Sequence, residues 1–172
     1  MREALRQLEN EGLVVLVPHS GARVARLDLA ELTEVYRIRE AIEPMVIAES
    51  APRLSDAQIA HLGRLVAGID AAAAEPERWL EIDRRFHLDC YAGASMARVV
   101  PMIERFWNTT QHYRRAFITT LDAPHFALVS LEHRLILDAL ERRDPVDAEE
   151  RLRSHIRRTR QTLSSHAELF DG

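Results

Sequence analysis

The sequence predicts an all-α fold, an antiparallel bundle of six to seven helices preceded by a short helix and a β-hairpin. Leu and Ala dominate the composition, aromatic residues make up only 6%, and just 6 glycines occur. Charged residues recur between apolar ones at three- and four-residue spacings, which place apolar side chains along one face of a helix. A chain of 172 residues is long enough to build one main core.

The N-terminal elements are too small to fold alone. The pattern predicts a helix over residues 2–11 that ends at Gly12, followed by a hairpin over residues 13–24 with a turn at Pro18. Ten helical residues and a lone hairpin cannot bury enough surface for independent stability. We therefore expect residues 1–27 to be the C-terminal part of a larger domain.

The rest of the chain, residues 28–172, has the pattern of long helices joined by short connections. Asp28 and Glu31 form a capping box for the first helix, which runs to about residue 50 with a kink at Pro44. The later helices are expected to begin at Ser55 with Gln58, at about Glu77 before an end at Gly93, at Ser95 with Pro101 in the second turn, at Pro124, and at Asp144 with Pro145.

Composition narrows the class of protein. The single Cys90 cannot form an internal disulfide, and the net charge of −4 gives no general attraction to nucleic acid. No apolar run approaches the roughly 18–20 residues of a membrane span, and the N-terminus lacks the apolar core of a signal peptide. A cytoplasmic protein without a membrane segment is expected. The last helix carries a basic run that we interpret as a solvated or dimer-facing surface, formed by Arg151, Arg153, Arg157, Arg158 and Arg160.

Asp83 and His87 lie four residues apart on a predicted helix, so both can hold one cation. Their face also carries apolar residues, and an inward carboxylate is costly unless it is paired or bound to a metal. His133 has apolar neighbours at helical spacings as well, whereas His155 lies beside arginines and its burial is the least clear.

Three imidazoles and one carboxylate suit a divalent first-row metal such as zinc, nickel or manganese. The alternative is a set of hydrogen-bonded histidines with an ion-paired Asp83. From the residue types alone this alternative is favoured, because short motifs often match by chance.

Several segments resemble a known family. The opening Met-Arg-Glu-Ala-Leu at residues 1–5 resembles the end of the recognition helix in GntR-family winged helices, with Met1 in place of the family's Val. Residues 36–44 are similar to the first helix of the FCD ligand domain that defines the FadR branch. Asp83-Arg84-Arg85-Phe86-His87 resembles its Asp-x-x-Phe-His motif, residues 132–140 its Glu-His-x-x-Ile motif, and residues 148–155 its final helix.

The resemblance implies that Asp83, His87, His133 and His155 are metal ligands, which reverses the preference from residue types. It also implies a small carboxylate effector, with Arg39 as a partner for the carboxylate, although an ordinary ion pair of Arg39 is an equal alternative. Asn108 and His112 are further candidates for effector contacts.

The resemblance also implies DNA contacts in a complete winged helix, made by Arg2, His19 and Gly21. The first helices of such a domain are absent from this sequence, and without them we expect its core not to close.

The predicted function is a homodimeric, metabolite-responsive transcription regulator that binds operator DNA and is not an enzyme. One alternative is a stand-alone dimeric metal or ligand sensor without DNA binding. Another is a metal-dependent hydrolase, because a metal with open positions can activate water.

Overall fold

The computed structural model describes residues 1–11, 13–18, 20–24, 27–119 and 121–166. The described part of residues 1–24, called the N-terminal segment below, consists of helix α1 (Arg2–Asn10) and an antiparallel hairpin of β1 (Val14–Val17) and β2 (Gly21–Val24). None of its described residues is buried. Gly12, where α1 was expected to end, lies outside the described residues, as do residues 25 and 26 near the expected domain junction.

The remaining described residues form a bundle of six further helices, which confirms the predicted fold class. A short 3₁₀ turn (Ala51–Arg53) follows the first of them. The helices are α2 (Leu29–Ser50), α3 (Asp56–Ala71), α4 (Pro76–Cys90), α5 (Val99–Ile118), α6 (Ala123–Glu141) and α7 (Pro145–Ser164).

Local capping signals position several of these helices as predicted. The Asp28 side chain accepts a hydrogen bond from the Glu31 amide and the Glu31 side chain accepts one from the Asp28 amide, so the capping box is complete. Ser55 and Gln58 form a second box at α3. Asp144 caps α7, whose first residue is a proline.

The predicted start of α5 at Ser95 is wrong. The helix begins at Val99, so Pro101 falls in the first turn, where its missing amide N–H leaves no helical hydrogen bond unmade. The Ser95 amide donates instead to Glu49, at 3.0 Å. Gly93 is required for close approach to another helix, because a Cβ there would lie 2.5 Å from the Ser50 carbonyl oxygen.

Helix α2 continues through the buried Pro44. Since proline has no amide N–H, the carbonyl of Glu40 one turn earlier loses its helical partner. Arg153 of α7 donates to that carbonyl at 3.2 Å, so α7 satisfies a group that α2 cannot satisfy itself.

The arginines of α7, interpreted as a solvated or dimer-facing surface, are exposed or half-buried and form ion pairs. Arg157 and Arg160 both pair with the Glu40 carboxylate of α2. Arg158 pairs with Glu132 of α6, at 2.8 Å. These ion pairs join α7 to α2 and α6.

One continuous core lies between the helices, and its fully buried side chains include Leu32, Phe86, Trp107, Ile136, Leu140 and Leu152. None of the helices in the described ranges has the length and apolarity that crossing a bilayer demands. The same interior contains several buried charged and polar residues, among them Arg39, Glu43, Asp83, His87, Arg114, His133 and His155.

Candidate metal centre

Three histidines from different helices meet in the interior of the bundle. His87 of α4, His133 of α6 and His155 of α7 are 2%, 0% and 7% exposed. Each offers a ring nitrogen, and these nitrogens all lie within 4.8 Å of one another. The spacing is short enough for one ion to contact all three, so the three histidines could hold a metal.

Asp83 joins this cluster from the turn of α4 that precedes His87. Its Oδ1 atom lies 2.9 Å from Nε2 of His133 and 3.7 Å from Nε2 of His87. Its second oxygen accepts a hydrogen bond from Arg114 of α5. The carboxylate therefore has one oxygen in the cluster and one on a guanidinium.

Outer hydrogen bonds fix two of the imidazoles. Nδ1 of His133 lies 2.8 Å from the carbonyl oxygen of Val129, which can only accept, so this nitrogen carries a proton. Nδ1 of His155 lies 3.0 Å from the Glu132 carboxylate and is the donor there as well. Bonds of this kind hold the rings of metal-binding histidines and leave Nε2 free as the ligand atom.

With Nδ1 protonated, neutral His133 presents a lone pair on Nε2. That lone pair faces the Asp83 oxygen at 2.9 Å and Nε2 of His87 at 3.2 Å. Two acceptors as close as Nε2 of His133 and the Asp83 oxygen repel unless a cation lies between them, either a proton on His133 or a metal ion. Imidazole nitrogens and one hard oxygen are donors that divalent transition metals accept, so these residues fit such an ion.

The protonation states of the buried groups also suit a cation. Burial opposes the charge on Asp83, but the Arg114 guanidinium and the hydrogen bond with His133 outweigh it and hold the pKa of that carboxyl well below its usual range. Burial lowers the pKa of His87 well below its ordinary value and also lowers the pKa of His155. An ionised carboxylate and neutral imidazoles are the forms that bind metal.

Two arginines and Trp107 surround one side of the cluster. The guanidinium carbons of Arg39 and Arg114 lie 4.2 Å and 4.3 Å from the centre of the Trp107 ring. Arg39 also pairs with the buried Glu43, at 2.6 Å. Arg39, Trp107 and Arg114 line a small cavity of about 20 Å³ together with His87 and His155.

Polar atoms without partners accumulate at this cavity. Within the described part of the chain, the Tyr36 hydroxyl, Nη1 of Arg39, Nδ1 of His87 and Nε1 of Trp107 are buried and have no hydrogen-bond partner. All four residues line the same small cavity. Unpaired buried donors are costly, and a ligand with acceptor oxygens would satisfy them.

The structure brings together Asp83, His87, His133 and His155, and it places Arg39 beside them. Asn108 lies elsewhere: its amide donates to the Glu11 backbone carbonyl and its oxygen accepts from Arg84, both at 2.9 Å. The side chain of Asn108 thus joins α5 to the N-terminal segment.

The other predicted contact residues lie away from the cluster. His112 is exposed on α5, with its ring against Tyr113. Arg2 and Gly21 are exposed in the N-terminal segment, and Gly21 adopts a positive φ of 86° at the turn. His19 lies outside the described residues.

The sequence reasoning missed Arg114, Trp107 and the role of Glu132. Trp107 and Arg114 are seven residues apart, a spacing that places both on one face of α5. Glu132 directly precedes His133 and, from the facing helix, holds His155. The sequence did contain a signal for Arg114, because this charged residue occupies a position of α5 where the helical spacing predicts an apolar side chain.

Comparison with known proteins gives one family match. The profile of a family described as the FCD domain matches residues 34–158. The chain is 29% identical over 164 residues to the HTH-type transcriptional repressor GlaR of Escherichia coli K12, which covers 91% of this chain and 74% of GlaR. It is 25% identical over 158 residues to the repressor RspR of the same organism, which covers 91% of this chain and 68% of RspR.

Solved structures share the fold. E. coli McbR/YncC superposes with a TM-score of 0.84 at 22% identity, over 96% of this chain and 83% of that one. A GntR-family regulator from Pseudomonas syringae pv. tomato superposes with a TM-score of 0.71 at 24% identity, over 97% of this chain and 70% of that one.

Proposed function

The chain belongs to the FCD-domain family of GntR-type transcription regulators, and from this premise we propose that it is a metabolite-responsive regulator whose helical domain binds a divalent metal and a small carboxylate effector. On this proposal the protein is a cytoplasmic homodimer of the FadR branch, and effector binding controls its affinity for operator DNA.

The observation that carries the proposal is the buried cluster in which acceptor atoms of Asp83 and His133 face each other beside His87 and His155. Asp83 would supply one oxygen to the ion, and His87, His133 and His155 would supply imidazole nitrogens. Zinc, nickel and manganese accept this donor set. When bound, the ion supplies an electrophilic position for a carboxylate oxygen of the effector.

Charge balance favours an anionic effector. Asp83 is already compensated by Arg114, and Arg39 by Glu43. A divalent ion adds two positive charges to this buried region, where uncompensated charge is costly. The unpaired donors of Tyr36, Arg39 and Trp107 add places for acceptor oxygens, so a carboxylate suits the cavity better than a neutral or cationic ligand.

A physical connection leads from the cluster to the N-terminal segment. Arg84, the residue after Asp83, donates to Asn108, which in turn donates to the Glu11 carbonyl at the end of α1. The Tyr113 hydroxyl, next to Arg114, accepts from the amide of Leu27 at 2.5 Å and also donates to its carbonyl. A ligand that changes the Asp83–Arg114 contact would therefore bias elements that hold the N-terminal segment.

The first experiment measures the metal content of the purified protein by elemental mass spectrometry. We expect about one ion per chain, its loss in His133→Ala, and its retention in His125→Ala, which removes an exposed histidine. Absence of metal after reconstitution with zinc, nickel and manganese would contradict the proposal.

DNA binding is tested by a gel shift with the upstream operator, using this chain and one extended at its N-terminus. A shift of the extended chain that responds to acids supports the regulator, with Arg2, His19 and Gly21 as candidate contacts. Acid binding without any shift would favour the stand-alone sensor. A hydrolysis screen of the metal-loaded protein tests the alternative of a metal-dependent hydrolase.

A further inference from the structure

An open groove lies on the surface between the end of α3 and the start of α6. Its volume is about 520 Å³, within the range of small-molecule sites. Apolar side chains form most of its walls, including Ile69, Ala73, Trp79, Leu121, Phe126 and Ala127. Nothing in the proposed metal centre accounts for this groove.

The groove lies next to a small interior cavity at the cluster. Trp79 and Leu121 line both the groove and a cavity of about 40 Å³ whose other walls include Asp83, Arg114 and His155. This cavity shares Arg114 and His155 with the smaller cavity that Arg39 and Trp107 line. The Trp79 ring lies 5.9 Å from Phe126 in the groove and 6.4 Å from His133 in the cluster, measured between ring centres. A single indole therefore separates the groove from a candidate metal ligand.

The two spaces differ in what they can hold. A cavity of about 40 Å³ accommodates a few water-sized groups, such as a carboxylate, and no larger molecule. The groove is more than ten times larger, and its two charged lining residues, Asp70 and Arg134, are paired with each other at its rim. The inner space suits a head group, and the groove suits a hydrocarbon body.

We propose that the groove holds the apolar chain of the effector, whose carboxylate lies at the cluster past Trp79. The effector class is then a monocarboxylic acid with an extended hydrocarbon part, in contrast to short or highly polar acids. This inference rests on the proposed function, since it takes the cluster as the site of the carboxylate.

The test is isothermal titration calorimetry of the zinc-loaded protein with acetate, butyrate, hexanoate and octanoate. Because each buried methylene strengthens binding about fourfold, we expect the affinity to rise steadily along this series. Octan-1-ol, which has the chain without the carboxylate, should bind far more weakly than octanoate.

A pair of variants tests whether the hydrocarbon chain of octanoate lies in the groove. Ala127 is an exposed groove residue, and Ala127→Trp fills the groove, whereas Ala60→Trp introduces the same indole at an exposed position of α3 outside it. We expect Ala127→Trp to weaken octanoate binding by roughly tenfold or more while zinc and acetate binding stay unchanged. Ala60→Trp should behave as the wild type.

The outcomes separate the two proposals. Binding of zinc and acetate without any gain along the series, or octanoate binding that Ala127→Trp leaves unchanged, would overturn the role of the groove alone. Failure to bind zinc, or to bind any acid once zinc is bound, would overturn both the metal centre and the inference that depends on it.

Discussion

In the helical bundle, charged and polar side chains such as Asp83, Arg114 and His133 are buried against one another, whereas no described residue of the N-terminal segment is buried. Burying charge costs free energy that an apolar core would not. The bundle therefore contains an arrangement that stability alone does not require, as expected if the proposed binding role is correct. The N-terminal segment is joined to the bundle by hydrogen bonds such as that from Asn108 to the Glu11 carbonyl.

The largest expected effect tests whether stability resides in the bundle. Leu140→Ala empties a fully buried position of α6, and we expect it to lower the free energy of unfolding by about 2–5 kcal/mol. Val15→Ala, at a position 52% exposed in the hairpin, should change it by no more than about 0.5 kcal/mol. Urea unfolding followed by circular dichroism measures both, and equal effects would show that stability does not reside mainly in the bundle.

Metal loading should stabilise the bundle and not the N-terminal segment. With free zinc at about 100 times its Kd, binding contributes about 2.7 kcal/mol, which corresponds to a rise in Tm of roughly 5–10 °C. Differential scanning calorimetry with zinc and then with a chelator measures this rise. His133→Ala should abolish it and His125→Ala should retain it; a rise that persists in His133→Ala would place the ion elsewhere.

Lowering the pH tests the ion pairs that Glu40 of α2 forms with α7. Burial opposes the charge of this carboxylate, but hydrogen bonds from Arg157 and Arg160 outweigh it and lower the pKa of Glu40 below its ordinary value of 4.5. A carboxyl with a lowered pKa stabilises the folded state above its ordinary pKa, and the contribution is lost as the pH falls through 4.5 and below.

We therefore expect Glu40→Gln to cost about 1 kcal/mol near pH 7 and progressively less as the pH falls below 4.5 towards pH 3. Urea unfolding at both pH values gives the difference. Glu9→Gln, in the N-terminal segment, is the matched control and should leave the unfolding of the bundle unaltered at either pH. A constant cost of Glu40→Gln across this range would show that the carboxylate charge is not involved.

The smallest effect concerns the contact between the two regions. Asn108→Asp keeps the acceptor for Arg84 but removes the donor to the Glu11 carbonyl. We expect hydrogen exchange in α1 to become faster, with a local change of about 1 kcal/mol or less, while exchange in the core of the bundle stays the same. Exchange measured by mass spectrometry resolves the two regions, and unaltered exchange in α1 would mean that this bond does not hold the segment.

Local signals in the sequence predicted most of the helices. The capping boxes at Asp28 and Ser55 depend only on residues three positions apart, so they could be identified directly. The prediction that α5 starts at Ser95 was wrong because a tertiary contact with Glu49 and the close approach at Gly93 override the local preference.

Part of the candidate site was predictable because helical spacing shows which residues of one helix share a face. Asp83 and His87 share one helix, and the spacing of apolar neighbours indicated that His133 points inward. Arg114 was missed because its partner Asp83 lies 31 positions away on another helix, and no local pattern encodes such a pair. His155 was predicted as a metal ligand from the resemblance to a family, more than from its spacing.

Both tryptophans of the chain lie against imidazoles of the cluster. Trp107 is 5.1 Å from His87 and Trp79 is 6.4 Å from His133, between ring centres. Excitation of the indoles thus samples only the surroundings of the site, so the protein carries its own optical reporter. A paramagnetic ion such as nickel would quench both emissions at once, and a titration could follow occupancy in dilute solution without any label or added dye.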